Sequence, residues 1–154
     1  MAQQFNPAGI QKSSKYSTGV FQLQNPEKYI GDRSKCIWRS SWEKDFMFTC
    51  DLNPAVIQWA AEPFSIPYYN PVTRKNAQYW PDFIVAYMKK DGHIHYEVIE
   101  IKPSKQTVTE KAKAKADKLA LAVNQAKWAA ASSYCKSKGL TFRILTEEML
   151  YRKK

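Results

Sequence analysis

The segment YWPDFIVAYMKKDGHIHYEVIEIKP, which runs from position 79 to position 103, decides the fold prediction because it contains two β-strands and the turn between them. A mostly apolar run predicts a strand over Gln78–Met88, and Lys90-Asp91-Gly92 predicts a hairpin turn. His95–Ile101 then predicts the antiparallel mate of that strand. The end of the segment carries two charged residues where an apolar strand is expected. Buried charges are costly unless they are paired or bind a cation, so this strand predicts a functional site.

The charged residues are expected to be neighbours. Side chains alternate along a strand, which places Glu100 and Lys102 on one face and Ile99 and Ile101 on the other. The hairpin folds Asp82 back beside Glu100, and the proline before Asp82 favours a local bend. Three functional side chains are therefore predicted to converge at one end of the hairpin.

These residue types suit a hard metal ion. Asp82 and Glu100 would form an oxygen site for Mg²⁺, with Mn²⁺ as a substitute, completed by water and the backbone carbonyl of Ile101. Lys102 would stand beside that water and orient or help to activate it. A bound cation neutralises charge on phosphoryl oxygens and lowers the pKa of its water, so the arrangement predicts hydrolysis of a phosphodiester.

The remaining sequence alternates helical and strand patterns. Helical spacing predicts a first helix that contains Trp42 and Cys50 and stops at Asn53-Pro54, and a long helix that follows a capping-box pattern over Thr107–Glu110 and ends at Gly139. Short β-type runs predict the other strands, which are Val56–Trp59, Phe64–Tyr69 and Thr141–Leu145. This order predicts an α/β fold with helices around a central mixed sheet.

Core predictions accompany these elements. The long helix is expected to turn an apolar face inward that consists of Leu119, Val123, Ala126, Ala130 and Tyr134. A short helix that follows Thr146 is expected to turn Met149 and Leu150 inward. All five tryptophans are interpreted as core residues rather than as stacking platforms for bases.

Length and composition bound the class of protein. The 154 residues predict a single domain over residues 25–154, preceded by an extended or mobile arm over residues 1–24 that lacks sustained periodicity. Lys and Arg number 24 against 14 Asp and Glu, and the net charge of +10 predicts a polyanionic partner, nucleic acid rather than membrane. The three cysteines lack metal-type spacing, which indicates buried reduced thiols.

The motif residues resemble a known superfamily. Pro81-Asp82 followed by Glu100-Ile101-Lys102 is similar to the PD-(D/E)xK nuclease pattern, and Glu43 matches the additional helix glutamate of many members. More of the chain resembles one branch, the head-completion nucleases of tailed bacteriophages, which are similar to TnsA-type transposition endonucleases. The segments that carry this resemblance are NPEKYIGD (residues 25–32), WRSSWE (38–43), VIQWAAEPFSIPY (56–68), YWPDF (79–83) and EIKPSKQT (100–107).

The resemblance implies a fold, an activity and a set of roles. It implies a restriction-endonuclease-like αβββαβ core and a Mg²⁺-dependent DNA endonuclease that acts when a packaged phage head is finished before tail joining. Asp82 and Glu100 would be metal ligands, Lys102 the catalytic lysine, and Glu43 a catalytic carboxylate near a second cation.

Other residues are predicted to support the site or to bind DNA. Glu62 is a candidate cleft residue because the position before a proline favours an extended backbone beside the next strand. Gln125 and Lys127 of the long helix are predicted to contact the catalytic side chains. The lysines predicted to grip the phosphates of double-stranded DNA are Lys105, Lys111, Lys115 and Lys118.

Each of these residues has a structural alternative. Ser40 and Glu43 form a capping-box pattern, Asp82 suits a turn, and Glu100 with Lys102 suits an ion pair across a sheet. Glu62 could be a surface carboxylate, and the lysine stripe could be a solvated helix face.

Three functions compete at this point. The first is the endonuclease of phage head completion, which predicts action in the host cytoplasm during assembly, association with the virion, and portal or neck proteins as candidate partners. The second is a structural head or neck adaptor that keeps the nuclease fold with little activity. The third is a TnsA-like transposition nuclease, a repair enzyme or a junction-resolving nuclease. No oligomeric state is predicted.

Overall fold

The computed structural model describes residues 18–107 and 114–151, apart from the side chain of Lys105. It divides into two compact units, one formed by Met1–Ala61 with Val85–His95 and the other by Glu62–Ile84 with Tyr96–Lys154. The single domain predicted over residues 25–154 stays a prediction. Within the described residues, no helix is both long and apolar enough to pass through a bilayer.

The regular elements follow the predicted order closely. The strands are β1 (Gly19–Val20), β2 (Ile37–Trp38), β3 (Val56–Ala61), β4 (Ile66–Asn70), β5 (Lys75–Tyr79), β6 (Phe83–Met88), β7 (Ile94–Ile101) and β8 (Thr141–Leu145). The α-helices are α1 (Ser41–Leu52), α2 (Lys115–Ser137) and α3 (Glu147–Leu150).

The central sheet has the strand order β3-β6-β7-β8. The short turn Lys89–His93 joins β6 to β7, as predicted, and Gly92 adopts a positive φ of 85° there. Such a short connection requires an antiparallel pair. β8 pairs parallel to β7, with Glu100 opposite Ile144 and Ile101 opposite Leu145. Helix α1, three strands, helix α2 and a final strand confirm the predicted α/β class and its mixed sheet.

One strand prediction was wrong. The predicted strand Gln78–Met88 is two strands, β5 and β6, because the chain leaves the ladder at Trp80-Pro81-Asp82. Pro81 is fully buried and has no N–H to donate, so it ends the strand. β5 instead pairs with β4 in a separate two-stranded sheet. The break also leaves Trp80 53% exposed, so its assignment to the core was wrong.

The first unit has an aromatic core around Trp59, which is fully buried. The rings of Tyr29 and Phe21 meet Trp59 edge-on, at centroid distances of 4.8 and 6.0 Å. β1 pairs antiparallel with β2, so residues 18–24 of the predicted arm include a strand, while residues 1–17 lie outside the described residues.

Helix α1 ends beside a buried carboxylate. Asp51 is fully buried, and its carboxylate accepts hydrogen bonds from the backbone N–H groups of Gln24 at 2.8 Å and Asn25 at 3.1 Å. The ammonium of Lys28 donates to the backbone carbonyls of Asp51 and Asn53, both at 2.9 Å. A cation at these last carbonyls satisfies groups that a helix leaves unpaired.

The second unit has a core between α2 and the β4–β5 hairpin. Ile66 and Tyr79 of the hairpin are buried with Leu121, Trp128 and Ala131 of α2. The predicted inner face of α2 was wrong at Leu119, which is 44% exposed, while Ala130 and Tyr134 of that face pack against this core. Several faces of this alanine-rich helix satisfy helical spacing, and packing against the hairpin selects the one that holds Trp128.

The chain ends of the second unit and the cysteines complete the comparison. Met149 of α3 is 50% exposed, so its predicted inward position was wrong. The capping-box prediction extends to residues 108–110, which lie outside the described residues; the described helix begins after Ala114. Cys36, Cys50 and Cys135 are buried and free, as predicted. Burial raises the pKa of Cys36 and of Cys135 to about 11, which keeps both thiols protonated near neutral pH.

Candidate functional site

The predicted charged pair lies at the end of β7. Glu100 is only 4% exposed, whereas the side chain of Lys102 is 30% exposed. The Nζ atom of Lys102 lies 3.5 Å from Oε2 of Glu100, as expected for alternate residues on one face of a strand. The backbone N–H of Lys102 donates to the carbonyl of Leu145 in β8, which fixes the position of the lysine. The structure therefore presents one buried carboxylate beside one accessible ammonium.

Asp82 lies against the same strand end. Its Oδ2 atom accepts a hydrogen bond of 2.7 Å from the backbone N–H of Ile101, the residue between Glu100 and Lys102. Asp82 can reach this position because it directly follows buried Pro81, where β5 has ended and β6 has not begun. The break that the sequence analysis missed is thus what aims the aspartate at β7.

Tyr79 belongs to this site and was missed by the sequence analysis. Its hydroxyl donates a hydrogen bond of 2.6 Å to Oε1 of Glu100, and the side chain is only 4% exposed. Burial, followed by the nearby charge of Glu100, raises the pKa of Tyr79, so the hydroxyl remains a donor. Its strand position was consistent with an ordinary core aromatic residue. Only its hydroxyl, which needs a partner when it is buried, could have suggested a role in the site.

Burial makes the charged form of Glu100 costly, and neighbouring groups offset part of this desolvation cost. Burial raises the pKa of Glu100, while the hydrogen bond from Tyr79 and the positive charges of Lys102 and Lys127 act in the opposite direction. A carboxylate in such surroundings gains from any further positive charge that comes close to it.

Of the two predicted supporting residues on α2, one lies near the site. The Nζ atom of Lys127 lies 5.7 Å from the ring centroid of Tyr79 and 5.9 Å from that of Tyr68. Both distances allow a cation–π interaction, and the charge of Lys127 acts on Glu100. Gln125 is exposed. Its predicted contact with the catalytic side chains stays a prediction.

Glu62 contacts the site through its backbone. Its N–H donates a hydrogen bond of 2.8 Å to the carbonyl of Asp82, while its side chain is exposed. The expectation of an extended backbone was wrong, because the φ of Glu62 is +44°. A left-handed conformation before a proline costs free energy, and residues held in this way are common at functional sites.

Glu43 caps helix α1 together with Ser40, which was its structural alternative, and its carboxylate reaches the residue before the N-cap. Ser40 Oγ accepts from the backbone N–H of Glu43 at 3.1 Å, and Oε1 of Glu43 accepts from the backbone N–H of Arg39 at 3.2 Å. Glu43 lies in the first compact unit, whereas Asp82 and Glu100 lie in the second. Its predicted role as a catalytic carboxylate stays a prediction.

The predicted DNA-binding lysines are partly described. Lys115 and Lys118 are exposed in the first turns of α2. Lys111 and the side chain of Lys105 lie outside the described residues. Exposure fits both a phosphate contact and a solvated face, so the DNA-binding role stays a prediction.

The donor set fits a magnesium ion better than a transition metal. Asp82 and Glu100 supply carboxylate oxygens, and the carbonyl of Ile101 lies between Glu100 and Lys102 in the chain. In residues 18–107 and 114–151, no group of three or more His, Cys, Asp and Glu side chains gathers for a metal ion. Mg²⁺ keeps several waters and commonly uses one or two carboxylates together with substrate phosphates, which matches the pair of Asp82 and buried Glu100 beside the partly exposed Lys102.

Comparison with known proteins identifies a family for this chain. Residues 53–147 match the family model described as the TnsA-like endonuclease N terminal. This range contains Asp82, Glu100 and Lys102, and begins after Glu43. The head completion nuclease of Enterobacteria phage T4 is 36% identical over 143 residues, which cover 86% of this chain and 93% of that protein.

Proposed function

The chain belongs to the TnsA-like endonuclease family, and from this premise we propose that it is a Mg²⁺-dependent endonuclease that hydrolyses phosphodiester bonds in double-stranded DNA. The observation that carries the proposal is the junction at the end of β7. There Glu100 accepts a hydrogen bond from the hydroxyl of Tyr79, and the ammonium of Lys102 lies 3.5 Å from the carboxylate of Glu100. The carboxylate of Asp82 accepts a hydrogen bond from the backbone N–H of Ile101, between these two residues in the chain.

The carboxylates have a binding role in this proposal. Asp82 and Glu100, with the carbonyl of Ile101, would hold the ion, which when bound supplies charge neutralisation at the phosphate and a more acidic water. Tyr79 and the backbone amide of Ile101 each occupy one carboxylate oxygen, and so fix how the two acids face the substrate. Such outer partners orient the groups that bind a metal.

Lys102 has the mobile, charged role. Its side chain is partly exposed and long, so its ammonium can donate a hydrogen bond to the attacking water or to a phosphate oxygen. The carboxylate of Glu100 lies 3.5 Å from this ammonium, and a positive charge at this place suits stabilisation of the negative transition state. Lys127 adds a second positive charge that acts on Glu100.

We propose that the biological setting is phage head completion, because a head completion nuclease is the relative that covers most of the chain. The enzyme would then trim or finish packaged DNA in the host cytoplasm and could remain with the virion. Portal or neck proteins are the proposed partners at that stage.

The experiment is a cleavage assay on supercoiled and linear double-stranded DNA with Mg²⁺, with Mn²⁺ and with a chelator. We expect nicks or cuts with either metal and no product with the chelator. Intact DNA under all three conditions would contradict the endonuclease and favour a head or neck adaptor. Branched and gapped DNA in the same assay would separate head completion from junction resolution and repair.

Lys115 and Lys118 are proposed to meet phosphates beside the cut. A Lys115→Ala/Lys118→Ala variant should bind duplex DNA more weakly and reduce the slope of log affinity against log salt by about two units. The control is Lys89→Ala/Lys90→Ala at the turn between β6 and β7, which should leave the slope unchanged. Equal slopes for both variants and the parent would assign the α2 lysines to a solvated face.

A further inference from the structure

The β4–β5 hairpin has one covered face and one open face. Ile66 and Tyr79 are buried against α2. The alternate residues of the hairpin are exposed. The open face consists of Pro67, Tyr69, Asn76 and Gln78, and exposed Trp80 follows directly after β5.

Two large aromatic side chains are exposed in and directly after the hairpin. Tyr69 of β4 is 55% exposed and Trp80 is 53% exposed. Tyr69 lies opposite Asn76, and Trp80 is four residues further along the chain than Asn76, which corresponds to at most about 13 Å at the usual strand rise. Single exposed aromatic residues are common on soluble proteins, but two in one short segment that runs to a candidate active site indicate a binding surface.

The chemistry of this face suits a polyanion. No Asp or Glu occurs between Glu62 and Asp82, whereas Arg74 and Lys75 lie at the hairpin turn and are exposed. Arg74 holds a left-handed φ of 59°, and its N–H donates to the carbonyl of Asn70 at 2.8 Å. The side chain of Asn70 accepts from the backbone N–H of Val72 at 2.9 Å, so the cationic turn is locally braced.

Trp80 is close to the candidate active site along the chain. Tyr79, which precedes Trp80, belongs to the covered face of the hairpin and donates its hydroxyl to Glu100, and Asp82 follows two residues after Trp80. A strand of nucleic acid that contacts Trp80 would therefore lie near Asp82.

We propose that this face binds an unpaired DNA strand, with bases stacked on Tyr69 and Trp80 and phosphates near Arg74 and Lys75. Aromatic stacking needs an accessible base face, and a continuous duplex hides its base faces between neighbouring pairs. The proposal rests on the proposed nuclease function and specifies its substrate class: DNA with a single-stranded segment next to the duplex. Asn76 and Gln78 add hydrogen-bonding groups along the same path.

The test measures binding separately from cleavage. Fluorescence anisotropy of labelled DNA, in chelator so that the DNA stays intact, compares a blunt duplex with the same duplex carrying an unpaired tail of about ten nucleotides. The proteins are the full chain, Tyr69→Ala/Trp80→Ala, and the control Tyr96→Ala, which removes an aromatic residue that is 44% exposed on β7.

The parent should bind the tailed duplex more tightly than the blunt one. Tyr69→Ala/Trp80→Ala should weaken binding of the tailed duplex by roughly tenfold or more and should change blunt-duplex binding little. Tyr96→Ala should behave as the parent. Equal losses on both DNAs, or no loss on either, would overturn the proposal.

Three further measurements exclude other causes. Both replaced side chains are exposed, so thermal unfolding should be unchanged. Tailed DNA should quench the tryptophan fluorescence of the parent, and this quenching should be smaller in Trp80→Phe, which lacks the stacked indole. An Arg74→Ala/Lys75→Ala variant should reduce the salt dependence of tailed-duplex binding, unlike Lys89→Ala/Lys90→Ala. A parent that binds tailed DNA through these residues but does not cut it with Mg²⁺ would contradict the nuclease function and leave the binding face supported.

Discussion

Two buried carboxylates, one in each compact unit, are held in different ways. Asp51 accepts two hydrogen bonds from backbone N–H groups, at 2.8 and 3.1 Å, and these donors are fixed by the chain itself. Glu100 accepts one hydrogen bond from the hydroxyl of Tyr79, at 2.6 Å, and has the movable ammonium of Lys102 3.5 Å away. Burial raises the pKa of Glu100 despite these partners.

The difference separates a carboxylate that stabilises the fold from one that can take a ligand. Fixed backbone donors satisfy the carboxylate of Asp51. These hydrogen bonds, with the one from the side chain of Asn25 to the carbonyl of Asp51, hold the segment before α1 against the end of that helix. Among the residues that the structure describes, the partners of Glu100 are the side chains of Tyr79 and Lys102, which can rearrange when a cation or a phosphate binds. Functional sites often retain such incomplete satisfaction at a cost in stability.

The largest expected effect concerns the movable partner. Lys102→Met should lower the single-turnover cleavage rate by about 10²- to 10⁴-fold, because it removes the ammonium that acts on the water or the phosphate. DNA affinity measured in chelator should stay near that of the parent. A variant that cuts at the parent rate would contradict the role of Lys102. It would also contradict the assignment of Glu100 and its partners to a functional site.

The next effect concerns the structural carboxylate. Asp51→Ala should lower the free energy of unfolding by about 3 kcal/mol, because two backbone N–H groups lose a charged acceptor in a buried place. Urea denaturation measures it, with Asp45→Ala on the exposed side of α1 as the control, expected within about 0.5 kcal/mol of the parent. A loss at Asp51 no greater than at Asp45 would show that its backbone donors find water instead.

Removing the hydroxyl that holds Glu100 should have a smaller effect. Tyr79→Phe should raise the Mg²⁺ concentration for half-maximal cleavage by about 10- to 100-fold, because Glu100 loses the partner that orients it. Tyr68→Phe, a ring on the same hairpin, is the control and should match the parent. A lower stability without any change in the Mg²⁺ dependence would assign Tyr79 to packing alone.

The smallest effect is one of stability at Glu100 itself. Glu100→Gln should abolish cleavage yet raise the free energy of unfolding by up to about 1 kcal/mol in chelator, because an amide has no charge to desolvate. Glu97→Gln on the same strand is the control. Glu97 has an ion pair with Arg143 at 3.5 Å, so its replacement should give no gain. If Glu100→Gln lost as much stability as Asp51→Ala, both carboxylates would stabilise the fold. The proposed difference between Asp51 and Glu100 would then be wrong.

The local parts of the fold could be predicted from the sequence. Helix α1, the turn at Gly92, and strands β3, β4, β7 and β8 follow from periodicity and from turn and cap residues. The order of these elements also predicts the mixed sheet. These features depend on neighbours in the chain, so a single sequence contains them.

The errors arise where packing against distant segments of the chain decides which residues of a locally apolar pattern are buried. Trp80, Leu119 and Met149 all satisfy an apolar pattern, but packing elsewhere leaves them exposed. The partner of Tyr79 is 21 residues away, so no local pattern predicts their hydrogen bond. The Asp82 contact with Ile101 could be anticipated only because the hairpin turn was recognised.

The parallel pairing of β7 with β8 has a consequence for the order of folding. The end of β7 that carries Glu100 and Lys102 is joined on one side to Ile144 and Leu145, which lie beyond the whole of α2 in the chain. Pairing across so long a connection is slow, because the entropy of closing the loop is lost before the contacts between the strands can form. A fragment that stops before Thr141 would contain every residue of the candidate site and still leave its strand as an open edge. The candidate site is therefore completed only when β8, which follows α2 in the chain, pairs with β7.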